Sequence, residues 1–128
     1  MPMRVGQDRG IAVVAFDGDH ELADARDAID EALGLVSGGA RGLLLDFSAS
    51  QTLSSRSPHQ IRLMALYLGL HRGRFASRAA VVAPSDAAFG LMRLGSVTAE
   101  DYGIMTTVTR DYSSALSWLE TGSAVSDS

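Results

Sequence analysis

Residues 41–60, RGLLLDFSASQTLSSRSPHQ, decide how this chain is read. Gly42 to Phe47 is a short apolar run that ends in Asp46 and Phe47, and it reads as a buried strand. A polar loop follows, from Ser48 to Arg56. Ser57-Pro58-His59-Gln60 then has the signature of a helix start, with Ser57 as cap, Pro58 at the first helical position and Gln60 closing a capping box. A strand, a serine-rich loop and a capped helix in this order form half of a βαβ unit.

Working outward, the same alternation continues in both directions. Upstream, Met3 to Gln7 reads as an edge strand, Asp8-Arg9-Gly10 as a turn, and Ile11 to Phe16 as a central strand. Asp17-Gly18-Asp19 ends that strand and caps a helix from His20 to Val36. Leu22, Ala25, Ile29, Leu33 and Val36 recur at helical spacing on that helix, opposite Glu21, Asp24, Asp27, Asp30 and Glu31. Ser37-Gly38-Gly39 terminates it.

Downstream, the helix that opens at Ser57 runs to about His71 and is apolar around most of its girth, which predicts heavy packing. Ala79 to Ala83 reads as a strand, Asp86 to Ala99 as a helix led in by Pro84 and Ser85, and Gly103 to Thr109 as the last strand. Asp111 caps a final helix through Leu119 that buries Tyr112, Ala115, Leu116 and Leu119. The pattern predicts one α/β domain over residues 1–120, with an N-terminal hairpin, a mixed and mostly parallel sheet, and a flexible tail over 121–128. Right-handed crossovers are expected to put helices on both faces unless the strand order is short and mixed.

The element order resembles the STAS family, the sulfate-transporter and anti-sigma-factor-antagonist domain, over Met3 to Glu120. The segments LLLDFSA and VTRDYSSALSWLE carry the resemblance, which is closest to the SpoIIAA-like branch. It implies a cytoplasmic, non-enzymatic regulatory or protein-interaction domain with no cofactor. In partner-switching members an Asp-Ser-Ser-Gly-like segment follows the strand, and its serine is phosphorylated. Aligning Asp46 with the family aspartate brings Ser55 onto the phosphoacceptor position. Ser54, Arg56 and Ser57 stand where that segment has aspartate, serine and glycine.

A phosphate at Ser55 would meet free N–H groups at a helix start, whereas an unmodified serine there simply caps or fills the loop. Asp46, Ser55 and His59 are the residue types of a hydrolase triad, but no glycine-flanked nucleophile elbow surrounds the serine, so catalysis is not expected. In open α/β sheets ligands bind beyond the carboxyl ends of the strands. Asp46 to Ser48, Ser85 with Asp86, and Thr109 to Asp111 are predicted to meet there, forming with Ser54, Arg56, Ser57 and His59 an interaction surface for a protein partner. A small-ligand or lipid-binding pocket between the last three strands and their helices is the alternative. Homodimerisation through a sheet edge or an exposed helix stays open.

Composition narrows the classes further. The chain has 128 residues, 46% hydrophobic and 20% charged, with a formal charge of -4, and all eleven basic residues are arginine. That balance lacks the basic face of a nucleic-acid-binding protein. Without cysteine there is no disulfide, thiolate nucleophile or cysteine-ligated zinc, and His20, His59 and His71 lack metal-ligand spacing. His71-Arg72-Gly73-Arg74 with Arg78 is a basic patch that reads as a solvated helix end. The first ten residues have no apolar signal core, and no run approaches the ~18 apolar residues of a membrane helix, so neither secretion nor membrane insertion is expected.

Overall fold

The computed structural model describes residues 3–17, 22–36, 38–49, 58–83 and 85–121. Strand β1 (Met3–Asp8) pairs antiparallel with β2 (Ile11–Asp17), joined by Arg9 and Gly10. Both turn residues take positive φ, 55° and 81°, the handedness that lets a two-residue loop match the twist of its strands. Helix α1 (Leu22–Gly34) leads to β3 (Leu43–Ala49), and α2 (Pro58–Leu70) to β4 (Arg78–Val82) through a 3-10 turn at Arg72–Phe75. Helix α3 (Asp86–Asp101), β5 (Met105–Thr109) and α4 (Tyr112–Thr121) complete the chain.

The sheet order is β1-β2-β3-β4-β5, and every pair after the hairpin is parallel. Each strand is therefore laid beside the one before it. Right-handed crossovers that always step the same way put their helices on the same side. Helices α1, α2 and α3 share one face of the sheet, and α4 lies on the other. Helices do occupy both faces, as expected, but in a three-to-one division set by the monotonic strand order.

Side chains alternate between the two faces. Val14, Phe16, Leu45, Phe47, Ala79 and Ala83 face the three-helix layer, while Ile11, Leu44, Ala80 and Val82 face Ala115, Leu116 and Leu119 of α4. Both sides of β2, β3 and β4 are thus apolar, as a central parallel strand requires. The Phe16 and Phe47 rings stack at 4.3 Å on neighbouring strands. Between β2 and β3 the register slips after Ala15↔Asp46, so that Asp17 pairs with Ala49.

Two helices obey the expected caps. Ser85 Oγ accepts from the Ala88 N–H at 3.1 Å, and Asp111 Oδ1 from the Ser114 N–H at 2.7 Å. Gly38 and Gly39 follow α1 with positive φ. The caps assigned to Asp17-Gly18-Asp19 and to Ser57, the terminator Ser37, the lead-in Pro84 and all of the tail 121–128 except Thr121 involve residues outside those described, and Thr121 belongs to α4 rather than to the tail. Two further expectations are corrected. Ser48 and Ala49 belong to β3, because parallel pairing with β2 continues to Ala49. Helix α2 is not packed all round: one side meets the core, and Leu63, Leu66 and Leu70 on the other remain exposed.

Candidate functional site

The carboxyl ends of three strands line up as the sequence implied. Asp46 pairs with Val82 and Val82 with Thr109, so one row crosses β3, β4 and β5. The polar groups along this row are engaged locally. Asp46 Oδ1 accepts from the Ser48 N–H at 2.9 Å, an Asx turn. The Thr109 hydroxyl donates to the Asp111 carbonyl at 2.8 Å, and the Arg110 guanidinium holds Asp86 at 2.6 Å. Ser85 is committed to its cap. Ser48, Ser85, Asp86 and His59 are exposed and Asp46 half-buried, while Ser54, Ser55, Arg56 and Ser57 lie outside the described residues.

The basic patch is also largely spent on the fold. Arg72 donates to the Gly69 carbonyl at 2.7 Å, and Arg74 pairs with Asp30 of α1 at 2.5 Å, which holds the Asp30 carboxyl below its usual range. Arg78 lies over the Trp118 ring at 4.2 Å and donates to the Trp118 carbonyl at 3.1 Å, tying β4 to α4. Desolvation lowers its pKa. Among the described residues no group of three His, Asp or Glu side chains can hold a metal ion, and no helix is long and apolar enough to cross a membrane.

Two features have a shape that a partner or ligand can use. The first is the outer side of α2. Leu63, Leu66 and Leu70 are 42%, 39% and 74% exposed and follow one another at steps of three and four, so they form a single stripe. The opposite side of the helix, Ile61, Ala65 and Leu68, is in the core.

The second is a cavity of about 80 Å³ beneath α2 and α3. Its floor is Leu45, Phe47, Ala79, Val81 and Thr106 of the sheet. The two helices forming its roof touch where an added Cβ on Gly95 would stand 2.7 Å from Ile61 Cγ2, and one on Gly69 would stand 2.7 Å from Tyr102 Cβ. Close approach at those two glycines brings α2 and α3 together over the sheet, while Ala65, Ala79 and Ala99 leave the space under them unfilled. Ser96 and Thr106, the hydroxyl residues of the lining, hydrogen-bond to each other, so the walls present carbon almost throughout.

Sequence reasoning offered, as its alternative, a pocket between the last three strands and their helices, and this cavity lies among them. That reasoning missed Gly95, Ser96, Thr106 and the alanines, and it missed the leucine stripe. A surplus of apolar residues on α2, beyond what one side can bury, was the available signal for the stripe. Compared with protein-family models and with curated proteins, the chain finds no match in either.

Proposed function

We propose that this chain is a cytoplasmic, non-enzymatic regulatory domain of STAS-like type, which meets a protein partner through residues 48–60 and the outer side of α2. The exposed stripe Leu63, Leu66 and Leu70 carries this reading. A helix apolar around most of its girth needs cover on both sides, and this fold covers one. The element order, strand-strand-helix followed by three strand-helix pairs, supports the STAS-like assignment. Asp46 serves a turn rather than a nucleophile, which favours a binding role over hydrolysis.

Ser55 stands three positions before the start of α2, so a phosphate there would add about two negative charges beside the docking helix and alter partner affinity. The docking test compares the proteins retained from a lysate of the source organism by the wild type and by a Leu66→Ser/Leu70→Ser variant of equal melting temperature. A protein held by the first and released by the second supports the reading, and identical retained sets reject it. A Ser55→Glu variant that holds that same protein with unchanged affinity removes the switch and leaves the docking surface.

A further inference from the structure

We infer that the cavity under α2 and α3 is a binding site for a small uncharged molecule with an aliphatic body of a few carbons. Three observations fix that chemistry. The volume, about 80 Å³, is roughly half that of the ~150 Å³ engineered cavity that admits benzene, so a lipid acyl chain is too long and a short chain fits. The polar groups of Ser96 and Thr106 satisfy each other, and apart from Gln60 the rest of the lining is apolar or glycine, so the walls favour an uncharged, aliphatic guest. The chamber is also reachable: Gln60, Met64 and Ser96 of its lining keep partial solvent exposure, as does Val81 on the floor, whereas Ala79 and Ala83 on the same face of β4 are buried.

Small residues on three separate elements, Ala65 on α2, Ala79 on β4 and Ala99 on α3, face this one space. Any one of them enlarged to leucine would fill much of it. A guest enters end-on, with its aliphatic part over Val81 and its polar end left toward solvent.

The test uses the whole chain with 13C-methyl-labelled methionine and 1-butanol as probe, whose chain of a few carbons matches the space. Met64 and Met92 line the cavity, and Met105 is an exposed reference outside it. The expected result is a saturable shift of the Met64 and Met92 methyl signals with Met105 unmoved, weakened at least about tenfold in Ala65→Leu. Ala99→Leu provides the same blockade if the first variant fails to fold. Absence of a saturable shift, or a shift that survives in a folded filling variant, overturns the site. Tighter binding of 1-hexadecanol than of 1-butanol overturns the size limit and makes the chamber the mouth of a lipid carrier.

Discussion

The Tyr112 phenol donates a 2.9 Å hydrogen bond to the Asp8 carboxylate, joining the first turn of the last helix to the end of the first strand across 104 residues of sequence. Helix α4 is the sole helix on its face among the described residues, so this bond and the Arg9–Glu120 ion pair at 2.8 Å anchor it to the hairpin. Tyr112→Phe keeps the ring and deletes the bond. The expected loss is about 1 kcal/mol, a typical net value for one hydrogen bond, measured by urea denaturation with an unchanged m-value.

The same phenol predicts a stability limit in alkali. Burial, and then the hydrogen bond to Asp8, push its pKa up to about 12. An unfolded tyrosine releases its proton near pH ~10. Between those values the folded chain binds more protons than the unfolded one, so stability is full below about pH 10 and falls as pH rises toward 12. Absorbance titration should show a phenol ionising near 12 that is missing from Tyr112→Phe, and the variant's melting temperature should depend less on pH in that window. Equal slopes for the two proteins would contradict the linkage.

Glycine-to-alanine substitutions in the two roof helices should have opposite signs. At Gly90, in α3, an added Cβ meets open space, and the usual helix preference should stabilise by about 0.5–1 kcal/mol. At Gly69 the added atom stands 2.7 Å from Tyr102 Cβ, an atom held close to its backbone, so α2 and α3 must separate. Overpacking of this kind costs about 1–3 kcal/mol. Thermal melts of the two variants side by side check both signs.

Caps offer a further measure. Ser85→Ala and Asp111→Ala each remove an acceptor for an N–H in the first turn of a helix, and each is expected to cost about 1 kcal/mol. Far-UV circular dichroism at room temperature should stay unchanged while the melting temperature falls. If either variant melts like the parent, that side chain is dispensable to its helix.

Filling the cavity probes packing without any ligand. Ala99→Val adds two methyl groups over empty space, and burying them should recover roughly 1 kcal/mol, at ~0.8 kcal/mol per buried carbon less imperfect fit. A lower melting temperature would mean that the roof is already in contact with the floor at that point.

Much of the fold was legible because it depends on local rules. Alternation and apolar runs marked β1 to β5, spacing marked the inner sides of α1 and α4, and oxygen side chains at Ser85 and Asp111 marked helix starts. The end of β3 was misread because Ser48 and Ala49 are weak strand formers held there by pairing with β2, a non-local cause. The candidate site was legible only in part. Asp46 and Thr109 were expected to meet at the strand ends, and they do share a row, but that Asp46 Oδ1 and the Thr109 hydroxyl close local turns depends on distances no spacing encodes.

Backbone preference and side-chain period sufficed to show which residues are apolar and that strands and helices alternate along the chain, though the last strand begins at Met105 rather than at Gly103, which takes positive φ in the turn before it. Tertiary structure alone decided the rest. The monotonic strand order placed α1, α2 and α3 together, and with only one layer beyond the sheet the surplus leucines of α2 were left outside. Ala65, Ala79 and Ala99, distant in sequence and unremarked singly, make a chamber only because three elements turn them toward the same point. A cavity is a property of what does not meet across space, and no local pattern records it.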